Sequence, residues 1–320
     1  MRFFLAIVRR ILSMLVTLLG VSIIVFIILR LLPGNAVTAA LGVSIGLLTK
    51  GQVAALNHYY GVGQPAFQQY WSWLHALFTG NLGISLVSRE PVSTLIGTAL
   101  PVTLELAFFA MVLGIVIGVG FGMWSALHPG RWQDDVGQVI SVIGLAIPTF
   151  ILGTVLVVYM SSKFHYFPSS LPFAGLFTNP WLNFQQIIIP AFVLSLGIAA
   201  AILRTTRAAV LEVSNLNFAR TALGKGVSRQ AFIWRHLFLN ALTAVTTMSG
   251  IQLGYLLGGT VIIEQIFILP GMGRLLITSI DNRDFPVVQS EVLIFAAGFV
   301  IVNMLVDILY DVIDPRTRPR

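Results

Sequence analysis

Side chains that can do chemistry are present, but their spacing assembles no catalytic set. The five histidines, His58, His75, His128, His165 and His236, form no His-Glu-x-x-His pair, so the ligand set of a zinc protease is missing. There is no cysteine, which excludes disulfides, thiolate metal sites and cysteine nucleophiles. Ser249 lies in an apolar stretch, yet no histidine falls within any such stretch to activate it. Ala222-Leu223-Gly224-Lys225-Gly226 is the nearest string to a phosphate-binding loop. Such a loop needs glycine where Ala219 stands and Ser or Thr where Gly226 stands, to cradle phosphates and hold Mg²⁺. The chain is therefore expected not to hydrolyse ATP, to hold no metal or other cofactor, and to be no enzyme.

Polar groups inside apolar stretches form the second set. Burying a carboxylate in a bilayer costs on the order of a few kcal/mol, so each one needs a reason. Glu105 and Asn303, with Gln252, are candidates for a polar translocation path. For Glu105 and Asn303 the alternative is an interfacial position paired with basic residues; for Gln252 it is a hydrogen bond between helices, the commoner case. Asn303, Asp307 and Asp311 recur every four residues on one helix face. For the two aspartates, pairing with basic residues such as Arg204 or Arg207 is the preferred reading.

These residues must be positioned by membrane-spanning helices. Of 320 residues, 57% are hydrophobic and only 10% are charged, and mean hydropathy is +0.90. A soluble domain carries roughly 25% charged residues to keep its surface wetted. An ordinary soluble domain, a disordered chain and a secreted disulfide scaffold are excluded, leaving an all-α polytopic membrane protein. About 20 apolar residues cross the hydrocarbon layer. Six stretches qualify or nearly do: Ile11–Leu32, Pro101–Leu127, Val136–Met160, Ile187–Leu203, Leu237–Ile263 and Glu291–Ile313. With the N-terminus inside, thirteen basic residues fall in inner segments and six in outer ones, which favours N-in, C-in. The net charge of +7 then reflects orientation and calls for no nucleic acid.

The expected organisation is a tail and first span over 1–32, an extracytoplasmic loop domain over 33–100 and a helical core over 101–320. In the loop domain, Phe67, Tyr70, Trp71, Leu74 and Phe78 recur at helical spacing. That pattern fits a helix lying on membrane lipid and equally a packing helix in a small outer cap. Gly114, Gly118 and Gly122, and again Gly250, Gly254 and Gly258, repeat every four residues. Such stripes let helix backbones approach closely, within the chain or against a partner subunit. The most basic inner loop, 204–236, holds Asn217 as an expected N-cap, a short helix to Leu223, and glycines at Gly224 and Gly226 that end it. A two-turn helix does not stand alone in water, so it persists only if docked; a partner contact and a solvated re-entry turn both fit the spacing. Ser228 is expected to cap the next helix.

At Arg204-Thr205-Thr206-Arg207, Phe218-Ala219-Arg220-Thr221-Ala222, Lys225-Gly226-Val227-Ser228, Arg235-His236 and Asn240-Ala241-Leu242, the sequence resembles the peptide-branch "EAA" loop. That loop marks the membrane subunits of binding-protein-dependent ABC importers. Further matches are Leu32-Pro33-Gly34-Asn35, Gly80-Asn81-Leu82-Gly83, Ile147-Pro148-Thr149-Phe150, Gly258-Gly259, Glu264-Gln265-Ile266-Phe267, Pro270-Gly271-Met272-Gly273, Arg283-Asp284-Phe285-Pro286 and Asp314-Pro315-Arg316. The sequence departs from the branch at Gly224 (commonly Ala), Ala244 (frequently Pro) and Asn35 (frequently Asp). The chain is similar to the first permease subunit of dipeptide, oligopeptide, nickel and glutathione importers.

The resemblance implies a type I ABC importer permease in the plasma (inner) membrane of a bacterium or archaeon. The partners it implies are a second related permease, two cytoplasmic ATPases that carry ATP and Mg, and an extracytoplasmic solute-binding protein. It makes Asn217, Phe218, Ala219, Arg220, Thr221, Ala222, Leu223, Gly224, Lys225 and Gly226 the coupling helix seated on one ATPase. The rival reading is a secondary transporter working alone on an ion gradient. That class predicts related halves, and no half-to-half repeat is visible.

Overall fold

The computed structural model describes residues 2–31, 49, 51–52, 54–55, 63–165 and 172–313, without the side chains of 2–7, 9 and 307–313. Leu32-Pro33-Gly34-Asn35, Lys50, His58 and Asp314-Pro315-Arg316 lie outside the described residues, as do the side chains of Asp307 and Asp311. The elements are helical: α1 Arg2–Leu31, α2 Ala66–Phe78, α3 Val92–Ala126, α4 Trp132–Ala146, α5 Thr149–Phe164, α6 Pro180–Ser214, α7 Asn217–Gly224, α8 Arg229–Phe267, α9 Met272–Asp281 and α10 Phe285–Ile313. Two compact units emerge, Met1–Val102 with Pro270–Ile301, and Thr103–Leu269 with Val302–Arg320.

Among the described residues, five helices are long and apolar enough to cross a membrane: α1, α3, α6, α8 and α10. The third expected span, Val136–Met160, is not one straight helix. Its residues belong to α4 and α5, which meet at a 93° bend. Proline disfavours the helical region for the residue before it and lacks an N–H. Accordingly Ile147 (ψ 119°) and Pro148 (ψ 133°) are both extended at the break. The fifth span runs longer than hydropathy suggests, beginning at Arg229 and including a π-helical stretch over Phe232–Phe238.

In the first unit, α2 lies along α1. Tyr70 and Trp73 pack on Phe26, the Ser22 and Tyr70 hydroxyls are 2.8 Å apart, and Arg30 donates to Gln69 Oε1 at 2.6 and 3.1 Å. The stripe Phe67, Trp71 and Phe78 stays exposed. In the same unit the segments around Gly80 and Asp284 meet. Gly80 and Gly83 take φ of +78° and +89°, conformations that suit glycine, and Asn81 Oδ1 accepts from Gly83 N at 2.9 Å. The buried Asp284 carboxylate accepts from Ser85 Oγ, from Leu86 N at 3.1 Å and from Val87 N at 3.4 Å. Ser290 Oγ donates to Leu82 O at 3.2 Å. Beneath the loop, Val92, Ile96, Ala99, Met272 and Val287 form an apolar core.

In the second unit α6 is the central post. A Cβ at Gly114, Gly118 or Gly122 of α3 would fall 2.6–2.7 Å from Ile198, Ile202 or Thr206, and one at Gly144 of α4 would fall 2.7 Å from Ala200. The first glycine stripe thus serves contacts inside this chain. The second is mixed: a Cβ at Gly250 would collide with Val306 of α10, whereas Gly258 faces open space. Gly254 is half-buried.

Candidate functional site

The loop between α6 and α8 holds α7, an eight-residue helix. Its N-cap is Leu216, with no side-chain cap bond, and Asn217 is the first helical residue. The capping role expected of Asn217 is therefore corrected: Leu216 holds the extended backbone that precedes a helix, and Asn217 is already inside the first turn. The other end is closed by a Schellman pair. Gly226 N donates to Leu223 O at 3.0 Å and Val227 N to Ala222 O at 3.4 Å. That closure puts Gly226 at φ +76°, where a Cβ is strained. Ser228 Oγ then accepts from Ala231 N at 3.4 Å and starts α8.

Two faces divide this short helix. Ala219 (0% exposed) and Ala222 (8%) are buried against Met123 and Ala126 at the end of α3, Val210 and Val213 at the end of α6, and Phe232, Leu237 and Ala241 of α8. Alanine is small enough to bring the α7 backbone onto this floor, and Val227 adds the apolar contact that accompanies a Schellman end. Opposite, Leu216, Phe218 (40%), Arg220, Thr221, Leu223 (55%), Gly224 and Lys225 are exposed. The dock required of so short a helix is thus supplied by three helix ends of its own chain. Its outward face mixes large apolar groups with two cations, a composition suited to a protein groove.

The polar candidates sit elsewhere in the same unit. Glu105 is half-buried, and its Oε2 accepts from Asn183 Nδ2 at 3.1 Å, which also donates to Ala174 O at 2.9 Å. Asn183 is fully buried, and among the described residues neither its Oδ1 nor Glu105 Oε1 has a protein donor. Gln252 and Asn303 are half-buried on α8 and α10.

Arg207 pairs with Asp134 of α4; the expected pairing of Asp307 and Asp311 with basic residues falls on side chains outside the described residues. Three buried carboxylates also escape the sequence reading. Glu264, fully buried, accepts from Thr103 Oγ1 at 2.7 Å, and Glu291 and Asp284 are likewise buried. Glu264 and Asp284 fall outside the apolar stretches and Glu291 opens one, so hydropathy gives no signal for them. The signal available was that Glu264 and Asp284 stand inside quoted motifs.

Five helices long and apolar enough to cross a membrane, with a short docked helix between two of them, define a multi-pass membrane protein among the described residues. Two family models cover nearly the whole chain: "binding-protein-dependent transport system inner membrane component" matches residues 118–319, and the N-terminal membrane component of the same systems matches residues 1–107. The chain belongs to this family, the inner-membrane components of binding-protein-dependent transport systems. It is 36% identical over 313 residues, 98% of each chain, to the glutathione transport system permease protein GsiC of Escherichia coli O6:H1 and of Salmonella typhi, and 35% identical to that of E. coli K12. A crystal structure of an amino acid ABC transporter with histidines shares the fold, with TM-score 0.50 and 15% identity over 70% of this chain and 94% of that one. The protein is therefore a multi-pass inner-membrane permease subunit of an ABC importer, not a transporter that works alone.

Proposed function

We propose that this permease imports small peptides or similar solutes, among them dipeptides, oligopeptides, glutathione or a nickel chelate, with α7 as the element that couples it to ATP. In this reading a second, related permease completes the membrane core. Two cytoplasmic subunits bind ATP and Mg, and an extracytoplasmic protein delivers the solute. Residues 33–100 form the extracytoplasmic loop domain, 101–320 form the core, and Asn217–Gly226 seats on an ATPase. Glutathione is favoured as the first solute to test by the 35–36% identity to glutathione permeases over 98% of the chain.

The observation that carries the reading is the two-faced helix. Ala219 and Ala222 fix α7 to the ends of α3, α6 and α8, while Phe218, Arg220, Leu223 and Lys225 are left to a partner. Only Asn215 and Leu216 separate α6 from α7, so a push on α7 reaches α6 with little slack. ATP-driven closure of the ATPases would then shift the population between inward- and outward-open states, to the extent that each state binds the closed pair differently. Glu105, Gln252 and Asn303 are the pathway candidates.

A cross-link tests the seat. The chain has no cysteine, so Leu223→Cys in the co-expressed complex gives one reporter on the outward face. Cross-linking to an ATPase subunit, and loss of solute-stimulated ATPase activity in Arg220→Ala with Gly226→Ala while subunits still co-purify, is the expected result. Normal uptake and normal stimulated ATPase activity in that double variant would sink the assignment.

A further inference from the structure

Two turns before the end of α6, that helix is tied to its neighbours by a polar knot. Arg207 donates through Nε to Asp134 Oδ1 at 2.5 Å and through Nη2 to Oδ2 at 2.8 Å. Ser125 Oγ of α3 donates to Oδ1 at 2.7 Å, and Gly130 N of the α3–α4 turn donates to Oδ2 at 3.2 Å. Each carboxylate oxygen therefore takes two donors, and the Asp134 side chain is 4% exposed. Four chain segments converge on this one group.

The helices around it are also tightly packed. A Cβ at Gly122 would meet Thr206, the residue before Arg207, at 2.7 Å; one at Gly137, a turn beyond Asp134, would meet Ser125 at 2.7 Å. A buried ion pair is weak evidence of stability, because an apolar replacement is often as good. What a two-pronged guanidinium–carboxylate pair does supply is a single geometry: both bonds form only at one mutual angle and register. With the backbones already touching, α3, α4 and α6 have no second packing that keeps all four bonds.

We propose that Asp134 and Arg207 are positioning residues for transport: they lock α3, α4 and α6 into one body so that displacement of α7 is delivered to three helices together. This rests on the coupling role of α7. It differs from a stabilising role in what it predicts, since the pair can be weakened without unfolding the subunit and the loss then appears as slack between helices.

The test uses the full-length chain in its co-expressed complex, with spin labels at Val142→Cys on α4 and Ala208→Cys on α6, both exposed positions. With Arg207 present, one narrow distance distribution is expected, the same without nucleotide and in the ATP–vanadate state. Asp134→Asn, or Arg207→Lys, which keeps the charge but loses the fork, should broaden that distribution and shift it between the two states. Should Asp134→Asn fail to assemble, Arg207→Lys decides. Labels that stay narrow and state-independent in Arg207→Lys, or that shift between states with the pair intact, would overturn the proposal. Failure of the α7 reading is separable: the Leu223→Cys cross-link to the ATPase would be lost while these distances behaved as expected.

Discussion

Two glycines that look alike in sequence should respond differently to the same repair. Alanine at Gly250 would press on Val306 side-chain atoms, and after Val306→Ala only the Cβ, at 3.3 Å, remains close. Alanine at Gly118 would meet the Ala199 carbonyl at 2.8 Å as well as Ile202, and no side-chain change moves a backbone oxygen. Overpacking of this kind costs about 1–3 kcal/mol, against a gain of roughly 1 kcal/mol for alanine over glycine in a helix. Thermal unfolding of the detergent-solubilised subunit should therefore show Val306→Ala largely rescuing Gly250→Ala, and Ile202→Ala failing to rescue Gly118→Ala. The four-residue spacing of both stripes was legible in the sequence. Which glycines touch something was not, because that depends on the neighbour's side chain and on which helix supplies it: Gly258 belongs to the same pattern and meets nothing. Asp284 was legible only as a motif. Its role, holding the Ser85–Val87 loop from 197 to 199 positions away, has no local signature. Asp284→Ala leaves two amides and a hydroxyl without their acceptor, each worth roughly 1–3 kcal/mol. Proteolysis in that loop, at Arg89, should rise sharply.

Helices were legible where a long apolar run forces them, and their irregularities were legible only when a residue type causes them. Pro148 could have placed the 93° break, since proline and its predecessor both resist the helical state. The π segment of α8 has no such marker. Its purpose is visible in the dock: Phe232 and Leu237 are both buried against α7 and its floor, yet residues five apart lie about 140° apart on an α-helix. The wider i→i+5 winding brings them onto one face. Removing one residue between them makes the pair four apart, which an ordinary α-helix also places on one face. Trp234 is exposed and its ring faces only Phe238 among the aromatic contacts of the described residues. Deleting Trp234 should thus leave assembly and thermal stability close to those of the parent chain. Deleting Tyr255, exposed on the regular part of α8, should shift every contact on one side of it and abolish assembly. The comparison is read by co-purification of the partner subunits, and equal damage from both deletions would refute the role given to the π turn.

For the whole molecule, the position of α7 relative to the membrane depends on whether the bent pair α4–α5 crosses. Fifteen and sixteen residues joined at 93° span about 32 Å end to end at 1.5 Å rise per residue. That is close to the ~30 Å of hydrocarbon to be crossed, so the pair is long enough for one passage despite the bend. The surplus of basic residues on one side of a six-span arrangement agrees with a crossing. If the pair crosses, the loop before α6 is outside and α7 inside; if it dips and returns, the two exchange sides. Phe177 in that loop is 96% exposed, and the absence of cysteine from the sequence makes single reporters clean. Phe177→Cys in intact cells with the outer membrane permeabilised should react with a membrane-impermeant maleimide, and Leu223→Cys should react only after the inner membrane is opened. The reverse pattern would make α4–α5 re-entrant and place α7 where no ATPase can reach it, removing the coupling role at one stroke. The expected pattern fixes the helix on the ATP side and leaves the solute as the question for uptake assays, beginning with glutathione.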